Sequence, residues 1–152
     1  MLPIEKKLNI KFNNQALIKR ALTHSSKSPE NYERLEFLGD SILDFLVGDY
    51  LFKRSDKDEG YLTVLRSHYV AESYLATIFD QLKLTDDIIT GKSMGKNVPK
   101  AVKGDVVEAI IAAIYLDSGL ENAKTFIEKN FHLEGFSQVK DTNYKSKLHW
   151  QC

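Results

Sequence analysis

Glu33, Glu36, Asp40 and Asp44 are the residues whose types and spacing most invite chemistry in this sequence. On a helix, the offsets from Glu33 place the other three within roughly 60° of it, so four carboxylates share one face. Like charges three or four residues apart each cost about 0.2–0.5 kcal/mol. No Lys or Arg lies on that face to relieve them, because Arg34 points roughly 100° away from Glu33. A second acidic pair, Asp105 and Glu108, is three residues apart and also shares a face. Glu108 is the only charged side chain from Val106 to Leu116, in the run VVEAIIAAIYL. A carboxylate in such a run is expected to be buried. Unpaired there, it either takes up a proton or needs a cation.

Two acidic helices of this kind suggest a shared divalent cation. All-oxygen ligands suit Mg²⁺, with Mn²⁺ as a substitute, and do not suit zinc. A ferritin-like di-iron centre would want Glu-x-x-His. None of His24, His68, His132 or His149 has a Glu three residues before it. The sole cysteine, Cys152, excludes an internal disulfide and a thiolate metal site. Two plainer readings stay open at this point. The first acidic face could simply be solvated, and Glu108 could pair with a lysine.

The elements that must carry these residues read as helices. Residues 14–23 form a short amphipathic segment, with Ala16, Leu17, Ala21 and Leu22 at helical spacing. Residues 26–31 read as a turn. Residues 32–52 carry Leu35, Leu38, Ile42, Phe45, Leu46 and Leu51, a helix of about six turns. KRSDKDEG (53–60) is a charged loop. Residues 61–80 are predicted as one helix with Leu62, Leu65, Tyr69, Val70 and Leu75 inward, and residues 82–90 as an irregular helical stretch. GKSMGKNVPK (91–100) reads as a mobile loop. An apolar helix over 101–117 is stopped by Asp117-Ser118-Gly119, and an amphipathic helix over 120–131 closes the series. No useful segment alternates with period two, so the fold class is all-α.

The 152 residues suit one domain, and 43% hydrophobic residues supply a real core. Lys+Arg and Asp+Glu are both 21, so strong long-range attraction of nucleic acid is excluded. RNA binding would have to come from local charge and metal ions. The N-terminal stretch lacks a signal-peptide core, and no run approaches the roughly 18 apolar residues of a membrane span. A soluble cytoplasmic protein with no membrane partner is the default expectation.

The string ERLEFLGDS (Glu33 to Ser41) resembles the signature of the ribonuclease III family. KGDVVEAIIAAIYLDSG (103–119) resembles that family's second acidic helix, at the expected separation. ALTHSS (21–26) and DEGYLTVLRSHYV (58–70) are similar to further family segments in the right order. The resemblance covers residues from about 5 to 133. It implies a ribonuclease III-type endonuclease domain over 1–134, a helical bundle forming a symmetric dimer.

By this resemblance Glu36, Asp40, Asp105 and Glu108 match the catalytic magnesium ligands, the same acids that the spacing paired. Glu33 and Glu59 match two further acids lining the valley, expected to matter less. Asp44 is not carried over and reads as a solvated neighbour. Phe37 matches an aromatic that inserts into the partner subunit of family dimers. It also lies off the Leu35/Leu38/Ile42 stripe.

The implied activity is hydrolysis of double-stranded RNA to 5′-phosphate and 3′-hydroxyl ends, each subunit of a homodimer cutting one strand and leaving short 3′ overhangs. No His or Lys stands in the acidic cluster as a general base. A bound divalent ion can activate water and steady the leaving oxygen.

Lys92, Lys96, Lys100 and Lys103 lie in an acid-free stretch and are the candidate phosphate contacts, against the plainer reading of a soluble loop. Thr23 to Ser26 could touch sugar hydroxyls, and helix capping is the preferred reading. Low base specificity is expected, since A-form RNA is read by shape. Residues 135–152 form a tail whose segment 141–151 resembles the start of a double-stranded-RNA-binding domain. The stop at Cys152 suggests a truncated or unusually short form with weak, salt-dependent RNA affinity. Two competitors remain: an inactive RNA-binding or ribosome-associated protein of the same fold, and a helical enzyme acting on small diphosphates. The first would be expected to lose acids of the cluster, and the second lacks its closely repeated Asp motif.

Overall fold

The computed structural model describes residues 1–91 and 97–139. Among them, seven α-helices run in the order α1 (Pro3–Leu8), α2 (Gln15–Ala21), α3 (Glu33–Arg54), α4 (Glu59–Val70), α5 (Glu72–Gln81), α6 (Lys100–Ser118) and α7 (Leu120–Asn130). Short 3₁₀ turns occupy Thr85–Asp87 and Leu133–Gln138. The described residues contain no strand, only an isolated parallel bridge between Thr23 and Ile89. The all-α expectation is met.

α6 is the axis of the bundle. Its side chains are buried without interruption from Val106 to Ile114, so it must be covered on every side. α3, α5, α7 and α2 supply that cover, and α4 packs on the outer flank of α3. α6 ends where Gly119 takes φ 98°, donating its N–H to Tyr115 O at 2.8 Å. A side chain is strained at that φ, which is why the expected stop falls on a glycine.

The α3–α6 contact rests on Gly39. A Cβ built there would stand 1.7 Å from the carbonyl oxygen of Glu108. Only a hydrogen at that position lets the two backbones meet.

α3 begins where Asn31 Oδ1 accepts the Glu33 N–H at 2.9 Å. Glu33 and Glu36 fill its first turn and Lys53 and Arg54 its last, matching the helix dipole. Asp58 caps α4 by accepting from Tyr61 N at 3.0 Å.

The N-terminal segment is tied down by carboxylates. Buried Glu5 accepts from Leu2 N and Phe12 N, both at 2.7 Å, and these backbone bonds hold its carboxyl below the usual range. Asp117, at the far end of α6, accepts from Asn13 N and Asn14 N at 2.9 Å. Lys7 pairs with Asp87 at 2.6 Å.

The structure corrects two sequence expectations and adds one element. The single helix over 61–80 is two, broken at Ala71 (φ −67°, ψ 146°). The reason is angular. Leu62, Leu65 and Tyr69 span roughly 60° of a helical wheel, whereas Leu75, Ile78 and Phe79 lie roughly 40–140° to the other side of Leu65. The break at Ala71 lets each set turn to its own neighbours, α4 to α3 and α5 to α6. α1 was not foreseen, because six residues are too few to show periodicity. Phe45, counted in the apolar pattern of α3, is 59% exposed and shares the outer face with Phe37 and Phe52. Residues 140–152, most of the expected tail, lie outside the described residues.

Candidate active site

The helices bring the two acidic pairs together. Carboxylate oxygens of Glu36, Asp105 and Glu108 lie within 4.8 Å of one another. Asp40, one turn beyond Glu36 on α3, hydrogen-bonds to the Glu108 carboxyl. Asp40, Asp105 and Glu108 open into one cleft of about 220 Å³. α3 thus contributes two acids from successive turns and α6 contributes two from adjacent turns, facing each other across the Gly39 contact.

Proton affinity reports the crowding. Glu108 is 7% exposed, and its carboxyl is pushed up to about 9, by burial first and then by the hydrogen bond and charge of Asp40 and the charges of Glu36 and Asp105. Burial also raises Glu36, with Asp105, Asp40 and Glu33 adding to it. Asp105 is raised by burial, against which its hydrogen bond to Tyr32 pulls downward. The protein therefore holds a proton-hungry set of oxygens.

A stability consequence follows. Between pH 4.5, the ordinary carboxyl value, and about 9, the folded form binds more protons at Glu108 than the unfolded chain does. Stability is full below that window and falls as pH rises through it, by at most about 1.4 kcal/mol per pH unit. In EDTA, the melting temperature should drop steadily from pH 5 to pH 9 in a thermal scan. A flat profile would refute the buried-acid geometry.

The remaining expected residues are spread out. Glu33 is exposed at the start of α3, close enough for its charge to act on Glu36 and Asp105. Glu59 opens α4 and lines another groove, with Asp44, Lys57 and Arg66, that shares no lining residue with the acidic cleft. Asp44 meets Arg66 at 3.5 Å, both well exposed. Phe37 is 77% exposed and borders an apolar groove with Leu17, Leu35, Leu38 and Leu116.

Lys100 is exposed at the first turn of α6, while Lys103 is held by Asp80 at 2.8 Å. Lys92 and Lys96 lie outside the described residues. Thr23 closes the end of α2 by donating to Lys19 O at 2.6 Å. His24 bonds Ser26, whose hydroxyl accepts from Gly91 N at 2.9 Å, so this part of the segment pins the 89–91 stretch rather than capping a helix.

Two neighbours escaped the sequence reading. Glu72, the first residue of α5, lines the cleft, and its charge raises Asp105. Tyr32 reaches Asp105 Oδ2 with its hydroxyl at 3.5 Å. A helix-start acid after a break and a tyrosine before an acidic run carried the only local signals.

Fold and site together define a helical-bundle protein with an oxygen-only acidic centre between two core helices. The family model described as Ribonuclease-III-like matches residues 14–134. Ribonuclease 3 of Campylobacter fetus is 48% identical over 127 residues, covering 80% of this chain and 56% of that protein. Ribonuclease 3 of Francisella tularensis is 46% identical over 147 residues, covering 93% and 64%.

Among solved structures, the nuclease domain of ribonuclease III from Campylobacter jejuni matches with a TM-score of 0.78 at 43% identity, covering 84% of this chain and 96% of that one. That domain has structural flexibility in a region involved in dimer formation. The chain belongs to the ribonuclease-III-like family. It spans 56% and 64% of the length of the two relatives just named.

Proposed function

We propose that this chain is the nuclease domain of a divalent-cation-dependent endoribonuclease that cuts double-stranded RNA to 5′-phosphate and 3′-hydroxyl ends with short 3′ overhangs, in cytoplasmic RNA processing. The observation that carries this reading is the meeting of Glu36, Asp105 and Glu108 within 4.8 Å, with Asp40 bonded to Glu108. Four carboxylates beside an apolar helix suit a hard cation and little else. Retention of every acid of the cluster weighs against an inactive relative.

Glu36, Asp40, Asp105 and Glu108 would hold Mg²⁺, or Mn²⁺ in its place. The ion, when bound, supplies charge to polarise the phosphate and to lower the proton affinity of water. The residues do the rest. Glu108, buried on α6 beside Asp40, is the acid whose raised proton affinity a bound cation would offset. Val70, Leu75 and Ala101 supply the apolar part of the cleft lining. Glu33 stands at the rim, where its charge adds to the pull on a cation. Lys100, exposed at the start of α6, would meet a backbone phosphate, and Lys103 would join it by leaving Asp80.

The exposed face of α3 is where a second copy would dock. Phe37, Phe45 and Phe52 are 77%, 59% and 73% exposed along it, a row of large apolar side chains of the kind that marks an interaction surface. The groove beside Phe37, about 810 Å³, is of a size to take an aromatic side chain from that copy. Phe37→Ala should weaken self-association by about 2 kcal/mol or more, roughly thirtyfold or more in dissociation constant. Sedimentation equilibrium reads this, and an unchanged constant would remove Phe37 from the interface.

The deciding experiment incubates the chain with long duplex RNA in Mg²⁺ and in EDTA. Short, 5′-phosphorylated duplex products in Mg²⁺ alone support the reading. Intact RNA in both, with the protein folded and dimeric, overturns it.

A further inference from the structure

The segment before the acidic helix is built with more care than a turn requires. Tyr32 is 4% exposed, and its N–H donates to Thr23 O at 2.9 Å. His24 packs edge-on against its ring at 5.9 Å. Its own carbonyl accepts the Glu36 N–H at 2.8 Å. The backbone of Tyr32 is thereby fixed to the turn that carries the first acid of α3.

Its hydroxyl points the other way, across to α6, and lies 3.5 Å from Asp105 Oδ2. The phenol O–H is the donor of this contact and the carboxylate oxygen its acceptor. A donated proton takes up one lone-pair direction of Oδ2 and restrains rotation of the carboxylate. A carboxylate has further lone pairs that this single bond does not use.

Asp105 is also pressed by like charge from two sides, Glu72 on α5 and Glu33 on α3. Without a donor, that repulsion would favour swinging the carboxylate away from its neighbours. A residue that orients a metal-binding group from behind is commonly worth 10–100-fold in cation affinity.

We propose that Tyr32 is a positioning residue of the acidic centre, its hydroxyl holding the Asp105 carboxylate turned toward Glu36 and Glu108. The proposal rests on the cation-binding reading given above. It gives the ALTHSS segment a use, since Thr23 and His24 hold the tyrosine in place. The plainer role for Tyr32 is filling the core at the start of α3. That role belongs to the ring, and Tyr32→Phe keeps the ring and removes only the hydroxyl.

The test measures Mn²⁺ binding by electron paramagnetic resonance of free Mn²⁺ for the unaltered chain, Tyr32→Phe and Glu108→Gln, alongside melting in EDTA. Tyr32→Phe should bind Mn²⁺ about 10–100-fold more weakly, with its helical circular dichroism retained. Its cleavage of duplex RNA should need correspondingly more Mg²⁺ and recover when Mg²⁺ saturates. Affinity within about twofold of the unaltered chain overturns the role of Tyr32, provided Glu108→Gln loses binding. If Glu108→Gln binds normally, or the unaltered chain binds nothing, the cation centre itself fails and Tyr32 with it.

Discussion

Gly39→Ala should cost this domain about 3 kcal/mol or more and drive apart the two helices that carry the acids. Overpacking a filled core typically costs about 1–3 kcal/mol, as side chains leave their rotamers and the backbone shifts to make room. Here no side chain can turn. The new methyl would stand 1.7 Å from a backbone oxygen of Glu108, and 2.5 Å from its carbonyl carbon. α3 or α6 must translate, and α6 is enclosed by four other helices.

The shift falls on the residue that supplies the deepest carboxylate, so cation binding should suffer beyond what lost stability explains. Urea denaturation measures the first effect. Mn²⁺ titration at a temperature where the variant is still folded measures the second. A variant with native stability would mean that the helices are farther apart than described.

Glu108→Gln should lower cleavage of duplex RNA by about a thousandfold or more while making the metal-free protein more stable at pH 8. The two halves have one cause. Gln keeps the shape but cannot ionise. Electrostatic stabilisation by a bound ion contributes several kcal/mol to phosphoryl chemistry, and each 1.36 kcal/mol is tenfold in rate. At pH 8 the native form must hold a proton on Glu108 or tolerate its charge, while the unfolded chain ionises freely. Gln removes that tension. Rates on one duplex at saturating Mg²⁺ and melting in EDTA read the two effects. Undiminished cutting would remove Glu108 from the reaction, and lowered stability would contradict its raised proton affinity.

What was legible in the sequence was whatever repeats along a helix. The face shared by Glu36 and Asp40, the burial of Glu108 inside VVEAIIAAIYL and the stop at Gly119 are all set by neighbours within a turn or two. What was not legible comes from other elements. Glu72 joins the cleft because the chain breaks at Ala71. Tyr32 meets a residue 73 positions away. Glu59 gave no sign that, within one chain, its groove is separate from the cleft. Gly39 was visible as a letter of a motif, but its reason is a backbone oxygen on α6.

The carboxylate clamps on the N-terminal segment set an order of assembly. Lys7 waits for Lys83 and Asp87, and Asn13 and Asn14 wait for Asp117, separations of 76 to 104 residues. Contacts so remote form late, because the loop they close costs entropy before anything rewards it. The segment that carries α1 and α2 is therefore the last to settle. α1 and α2 latch on once α6 has found its place, and amides there should gain hydrogen-exchange protection after those of α3 and α6.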